Sequence, residues 1–149
     1  MSIEDDVILL DRVPTIHLLG NAAIRMLAIG SEQQEFARGS VLFRAGDEAD
    51  CGYVVQSGGF RVSFGDSARH DVTAGPGSLI GELALIVAMK RPATATALEY
   101  SSVIRLSRTL FQRVLENDPD AALRLRDDLA NRAGQATSDI VLVGSRLNI

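Results

Sequence analysis

Residues 75–97 of the chain read GPGSLIGELALIVAMKRPATATA, and the pattern within this stretch decides the fold. A glycine-rich turn leads to Gly81, a short helix-compatible run follows, and Arg91 precedes an alternating run of alanine and threonine. This order predicts a turn, one short helical turn and then a strand that begins at Ala93. We therefore expect a β-rich domain in which a short helical turn interrupts the strands.

Short strands marked off by glycines continue on both sides of this stretch, over residues 36–107. The segment from Phe60 to Phe64, for example, alternates with period two and ends at Gly65. Runs of this kind with regular turn signals predict a β-sandwich or barrel. Glycine suits these turns because several hairpin and bulge positions require φ above zero.

Helical segments are predicted before and after the strands. Residues 1–35 lack strand alternation and carry apolar residues at loosely helical spacing. Residues 108–144 have helical spacing, and Asp118 is placed to cap a second helix that begins at Pro119. The predicted architecture is a single domain over residues 1–149, mainly β with flanking α-helices.

Composition and charge exclude several classes of protein. Hydrophobic residues make up 46% and charged residues 23% of the 149 residues, as in an ordinary globular domain. The net charge of −4 argues against direct nucleic-acid binding, which favours a basic face. A single cysteine, Cys51, excludes an intramolecular disulfide and a cysteine-ligated cluster.

The acidic N-terminus does not resemble a signal peptide, and no apolar run approaches the roughly 18 residues that span a bilayer. We expect a cytoplasmic protein with no membrane contact.

The chemistry of the central stretch points to an anion that lies beside a hydroxyl group. Gly81 would let a ligand approach the backbone closely, and the helical turn after it offers N–H groups to an anion. Arg91 would add a planar, permanently charged fork that suits phosphate oxygens. The Glu82 carboxylate fits the same site if it accepts hydrogen bonds from neutral hydroxyls. Each residue alone is ordinary turn or surface chemistry, and their combination predicts a ribose phosphate.

Residues 81–97 resemble the phosphate-binding cassette of the cyclic nucleotide-binding domain family. That family includes protein kinase A regulatory subunits, nucleotide-gated channels and the catabolite activator protein. The ten-residue step from Gly81 to Arg91 matches the spacing in the kinase regulatory subunits. The resemblance extends over roughly residues 30–145. It implies a double-stranded β-helix, or jelly roll, that closes around the ligand.

The resemblance also implies a role for each residue of the cassette, residues 81–93. Glu82 would accept a hydrogen bond from the ribose 2′-hydroxyl, and Arg91 would pair with the cyclic phosphate. The backbone amides of Leu83 and Ala84 would complete the phosphate cradle. The predicted ligand-binding residues are Gly81, Glu82, Leu83, Ala84, Arg91, Pro92 and Ala93.

Pro92 and the last helix carry the predictions on specificity and signalling. Family members that prefer cGMP often place Thr at the position of Pro92, and proline has no side-chain donor, so the sequence favours cAMP over cGMP. The last helix would close over the base around residues 121–143, with Leu129, Ala133 or Ile140 as candidates to cap the purine. Ligand binding would then move the C-terminal helices.

Two other functions stay open at the level of sequence. A degenerate domain of this fold that binds no nucleotide would serve as a protein-interaction or dimerisation scaffold, and Pro92 is one reason to consider it. A metal enzyme of the cupin kind would need two or three histidines with a carboxylate, whereas His17 and His70 are isolated. We expect no catalytic residues, no metal and no cofactor apart from the nucleotide ligand.

The remaining expectations concern surface residues and partners. Cys51 is expected to behave as a small, half-buried apolar residue. Arg124, Arg126 and Arg132 lie among acidic residues and are expected on a solvated helix face. The residues up to Ile149 leave no room for a helix-turn-helix module, a kinase or a channel pore. The expected partners are therefore a cyclic nucleotide, an effector domain or protein outside this chain, and a second copy paired through the C-terminal helix.

Overall fold

The computed structural model describes residues 2–65 and 71–138 of the chain. Three helices come first, namely α1 (Ile3–Asp11), α2 (Pro14–His17) and α3 (Asn21–Gly30). The strands are β1 (Glu32–Phe36), β2 (Val41–Phe43), β3 (Glu48–Ala49), β4 (Cys51–Ser57), β5 (Phe60–Ser63), β6 (Val72–Ala74), β7 (Leu79–Ile80), β8 (Met89–Lys90), β9 (Thr94–Ala97) and β10 (Ser101–Ser107). A short 3₁₀ helix, Glu82–Leu85, which we call the cassette helix, lies between β7 and β8. Helices α4 (Arg108–Asn117) and α5 (Pro119–Ser138) end the described part.

Two antiparallel four-stranded sheets form the body of the domain. One sheet has the strand order β1-β10-β4-β7 and the other has the order β2-β9-β5-β6, while β3 and β8 pair on their own. The helices flank the sheets at both ends of the described sequence. The predicted fold class, mainly β with flanking helices, is confirmed.

Strands β4 and β10 bury both of their faces, which explains why they read as continuous apolar runs. Val54 and Ile104 belong to the core that the helices form against one sheet. Their neighbours Val55 and Val103 point the opposite way, into the core between the sheets. Successive side chains of a strand alternate between its faces, so each strand contributes to both cores.

Strand structure begins earlier than the sequence predicted. β1 (Glu32–Phe36) lies partly inside the segment, residues 1–35, that was expected to be helical. Its sequence, EQQEF, has no apolar alternation because the strand is largely exposed. Its backbone pairs with β10 at the edge of the sheet, so hydrogen bonds rather than side-chain pattern define it.

The two C-terminal helices start at side-chain caps. The Ser107 hydroxyl accepts from the Leu110 amide at 3.1 Å at the start of α4. The Asp118 carboxylate accepts from the Ala121 amide at 3.2 Å, so the predicted cap before Pro119 is confirmed. The end of the predicted helix, at residue 144, lies outside the described residues. No helix in the described ranges combines the length and the hydropathy of a membrane span.

The arginines of α5 are not all on a solvated face. Arg124 donates from Nε to the Leu18 carbonyl at 2.6 Å and from Nη2 to the Leu19 carbonyl at 2.7 Å. These bonds attach α5 to the loop between α2 and α3, where two carbonyls need donors. Arg126 does stay exposed, beside Asp127. The expectation is therefore wrong for Arg124, and Arg132 is treated with the site below.

Candidate functional site

Gly81 opens the cassette helix in a left-handed backbone conformation. Its φ of +83° and ψ of 38° favour glycine over residues with a Cβ atom. A Cβ at this position would also overlap Nη1 of Arg91 and lie 3.3 Å from the Cys51 carbonyl oxygen. The backbone conformation therefore favours glycine here, and a Cβ would also require the Arg91 guanidinium to move. The predicted helical turn after Gly81 is confirmed, and β9 begins at Thr94, one residue later than expected.

The guanidinium of Arg91 is buried without a carboxylate partner in the described part of the chain. The residue is 5% exposed. Its Nη2 donates to the Cys51 carbonyl at 2.8 Å and lies 3.3 Å from the Cys51 thiol. Its Nε is buried and has no hydrogen-bond partner within residues 2–65 and 71–138. None of the ion pairs among the described residues involves Arg91. Burial of a charge without a partner is unfavourable, so this group is suited to receive an anion.

Cys51 differs from the expectation of a half-buried side chain. It lies within β4 and is 1% exposed, because β4 crosses the centre of its sheet. Its carbonyl and its thiol both face Arg91. Cys51 therefore helps to hold one edge of the guanidinium.

A pocket that is open to solvent lies beside Arg91. Its lining residues are Phe43, Val62, Ile80, Gly81, Leu83, Ala84, Met89, Arg91, Pro92 and Ala93. Six of the seven residues predicted from the sequence are among them, and Glu82 is the one that is not. The lining is thus mostly apolar with a single cation, which is a common composition of small-molecule sites.

The backbone amides of the cassette helix differ in what they offer a ligand. The Ala84 amide, predicted as part of the phosphate cradle, donates to the Gly81 carbonyl at 3.1 Å. The first N–H groups of a 3₁₀ helix have no partner inside the helix. That geometry leaves the amides of Glu82 and Leu83 without a partner inside the cassette helix.

The Glu82 carboxylate belongs to a cluster of four side chains, which we call the Glu82 cluster: Thr15, Glu82, Asp128 and Arg132. Oε1 of Glu82 accepts from the Thr15 hydroxyl and from Arg132 Nη1, the latter at 2.8 Å. Arg132 also donates from Nε to Asp128 at 2.8 Å and from Nη2 to the Thr15 hydroxyl at 2.7 Å. Among the described residues, no hydrogen bond reaches Oε2 of Glu82. The cluster thereby joins α2, the cassette helix and α5.

The electrostatics of Arg132 reflect this cluster. Burial acts to lower the pKa of Arg132, but hydrogen bonding and charge from Glu82, and then from Asp128, outweigh it and raise the pKa. The expectation that Arg132 lies on a solvated face is wrong, because its side chain is only 23% exposed and its donors are engaged. Thr15 and Arg132 lie 67 and 50 residues from Glu82 in sequence, so no local pattern could have indicated either contact.

Arg108, at the start of α4, makes a second set of contacts with the cassette segment that the sequence did not indicate. Its Nη1 donates to the carbonyls of Ala49, Ala84 and Val87 at 3.1, 3.2 and 2.8 Å. Two of these carbonyls belong to the segment around the cassette helix. Arg108 therefore attaches that segment to α4, as Arg132 attaches it to α5.

Two of the three predicted base-capping residues, Leu129 and Ala133, are described, and neither is among the residues that line the pocket. Leu129 packs against the core formed by the helices, and Ala133 is likewise absent from the pocket wall. Ile140 lies outside the described residues. Which residue caps the base therefore stays undecided among these three.

Histidines and acidic residues do not form a metal site in the described ranges. No group of three or more His, Cys, Asp or Glu residues there is arranged to hold a metal ion. His17 lies on an exposed surface, with Nδ1 2.9 Å from the Asp11 carboxylate. His70 lies outside the described residues.

Comparison with known proteins assigns the chain to a family. The sequence model of the family described as "Cyclic nucleotide-binding domain" matches residues 33–118, more than half of the chain. The match spans every strand from β2 to β10 and the whole pocket lining. The chain belongs to the cyclic nucleotide-binding domain family.

Individual relatives agree with this assignment. The cAMP-dependent protein kinase regulatory subunit of Eremothecium gossypii is 36% identical over 70% of this chain and 22% of its own length. The cyclic AMP receptor protein of Thermus thermophilus is 28% identical over 87% of this chain and 62% of its own length. Among solved structures, the N-terminal domain of a transcriptional regulator from Streptomyces coelicolor A3(2) aligns with a TM-score of 0.80 at 29% identity, covering 89% of this chain and 95% of that domain. The chain spans half or less of the length of the first curated relatives that it matches.

The contact between Gly81 and Arg91 can be tested with two glycine substitutions. Gly81→Ala should destabilise the protein by about 1–2 kcal/mol more than Gly77→Ala, measured by urea unfolding. Both positions have positive φ, but a Cβ at Gly77 meets no atom within 4 Å, whereas one at Gly81 meets Arg91. Gly77→Ala therefore controls for backbone strain alone. Equal losses of stability would show that Arg91 moves aside freely and is not held where the structure places it.

Proposed function

We propose that this protein is a cyclic-nucleotide-binding regulatory module that prefers cAMP to cGMP and has no catalytic activity of its own. The observation that carries the proposal is Arg91, a buried cation without a carboxylate partner in the described residues, at the wall of a pocket. The cyclic phosphate of the nucleotide would supply the missing negative charge. The apolar part of the lining would receive the less polar parts of the ligand.

The energetics favour a ligand with a single, partly enclosed anion. A guanidinium that meets a phosphate forms charge-assisted hydrogen bonds, which are shorter and stronger than neutral ones. The free Nε donor and the start of the cassette helix provide the donors for this contact. A neutral ligand would leave Arg91 uncompensated, so nucleosides without phosphate should bind poorly.

The preference for cAMP rests on Pro92. This residue lines the pocket and has no side-chain donor or acceptor for a guanine. In family members that prefer cGMP, Thr often stands at this position. The proposal is therefore that the site lacks the one hydrogen bond by which threonine would favour guanine, and that cAMP is preferred for this reason.

Helix signalling is proposed through the Glu82 cluster. Oε1 of Glu82 already binds Thr15 and Arg132, so Oε2 is the oxygen that would accept the ribose hydroxyl. Both contacts need the carboxylate in one orientation, and each lowers the entropic cost of the other. Nucleotide binding and the docking of α5 would then favour each other, as reciprocal linkage requires.

The wider role is also part of the proposal. The names of two relatives specify cAMP, in a kinase regulatory subunit and in a receptor protein. By analogy, this chain would bind its nucleotide in the cytoplasm and pass the signal to an effector domain or protein. Pairing of two copies through the C-terminal helix, without direct contact to nucleic acid or membrane, stays a prediction.

Calorimetry with purified protein tests the ligand. Wild type should bind cAMP, and Arg91→Leu should weaken binding by about 2–4 kcal/mol because a desolvated charge-assisted contact is lost. Arg61→Leu is the control, since Arg61 is an arginine in a neighbouring strand with an exposed side chain. Absence of heat and of thermal stabilisation with both cAMP and cGMP would contradict the proposal and favour the scaffold alternative.

Specificity can be tested at Pro92. Pro92→Thr should improve binding of cGMP relative to cAMP by about fivefold, because threonine supplies one hydrogen bond to guanine. Pro92→Val, which is similar in size to threonine but lacks the hydroxyl, is the matched control and should leave the ratio unchanged. If Pro92→Thr and Pro92→Val have the same ratio of cGMP to cAMP affinity, Pro92 is not the source of the preference.

Coupling to α5 can be measured by hydrogen exchange. Saturating cAMP should slow amide exchange in α5, and Arg132→Gln should reduce this protection and weaken cAMP binding about three- to tenfold. Arg126→Gln changes an arginine on the same helix that is 72% exposed, and it should behave like wild type. Exchange in α5 that is unaffected by cAMP would rule out signalling by this route.

A further inference from the structure

Two aromatic rings lie beside the Arg91 guanidinium. Arg91 Cζ is 4.2 Å from the centroid of the Phe43 ring and 5.6 Å from that of Tyr53. The two rings stack with their centroids 6.1 Å apart and their planes at 28°. Phe43 and Tyr53 are each 9% exposed, so the contact is largely removed from water.

A ring and a carboxylate support a guanidinium in different ways. The N–H donors of a guanidinium lie in its plane, and a carboxylate that approaches in this plane occupies them. An aromatic ring attracts the cation through its face and leaves those donors unoccupied. A phosphate that arrives at a ring-supported arginine therefore has no carboxylate to displace.

The backbone places the ring and the cation together. The Arg91 amide donates to the Asp47 carbonyl at 2.7 Å, and the Gly46 amide donates to the Arg91 carbonyl at 2.8 Å. This turn follows β2, the strand that ends at Phe43. Phe43 also pairs with Ala95 of β9, just after Arg91 in sequence. The hydrogen bonds of this turn and the pairing of β2 with β9 thus fix the position of Phe43 relative to Arg91.

We infer that Phe43 is a positioning residue of the anion site: its ring, backed by Tyr53, supports the buried Arg91 guanidinium in place of a carboxylate and keeps its donors available for a phosphate. This inference rests on the proposed function. Tyr53 acts as a neutral ring, since burial, and next its interaction with Cys51, raises its pKa to about 12. The tyrosine therefore does not supply a negative charge that would compete with the ligand.

Binding experiments test the role of the ring. Phe43→Leu, which keeps an apolar side chain but removes the ring, should raise the Kd for cAMP about tenfold. Phe43→Tyr keeps the ring face and should restore binding to within about twofold of wild type. Phe36→Leu is the control, because Phe36 packs against the same core but its ring contacts Phe60 rather than Arg91.

Unfolding without nucleotide separates support of Arg91 from direct contact with the ligand. In urea unfolding, Phe43→Leu should reduce the folding equilibrium constant about fivefold more in the wild-type background than in an Arg91→Met background. Phe36→Leu should have the same effect in both backgrounds. This difference reports on the ring and the cation alone, since no ligand is present.

The outcomes distinguish the inference from the proposed function. If wild type binds cAMP and Phe43→Leu binds it equally well, or if the unfolding effects of Phe43 and Arg91 are additive, the inference is overturned and the proposed function stands. If wild type binds no cyclic nucleotide, the proposed function fails and the positioning role fails with it. Weak binding by Phe43→Leu, rescue by Phe43→Tyr and non-additive unfolding together support the inference.

Discussion

The Arg91 guanidinium determines how the surrounding site is built, because it is buried and has no carboxylate partner in the described part of the chain. Such a group is unfavourable unless its neighbours compensate it, and here the compensation is partial: one carbonyl at 2.8 Å and the face of Phe43. Gly81 lacks a side chain at the point where the guanidinium passes. Each of these features leaves room for an anion, and together they are why we propose a phosphate-bearing ligand for this pocket.

The second constraint is that Glu82, the residue next to Gly81, is hydrogen-bonded to helices outside the pocket. Glu82 bonds to Thr15 of α2 and to Arg132 of α5, while Arg108 of α4 holds the carbonyls at the other end of the cassette helix. The short segment that forms the pocket wall is thus attached to three helices by polar contacts. In the proposed signalling, a ligand that orders this segment would also change the free energy of helix docking through these contacts.

The fold and half of the site could be predicted from the sequence because their signals are local. The spacing of the glycines predicted the strands, and the ten-residue spacing from Gly81 to Arg91 predicted residues that line the pocket. The exposed strand β1 (Glu32–Phe36) gave no signal, since an edge strand without a buried face has no apolar alternation. Arg132 gave none either, since its partner Glu82 lies 50 residues away and a charged helix residue normally faces solvent. Contacts between distant segments require the fold itself.

The structure of the protein with bound cAMP is the most direct test of the central claim. We predict that the phosphate lies against the Arg91 guanidinium and accepts from Nε, which has no partner among the described residues, and that the ribose hydroxyl donates to Oε2 of Glu82. A nucleotide bound elsewhere, or bound in this pocket with its phosphate directed away from Arg91, would contradict the account.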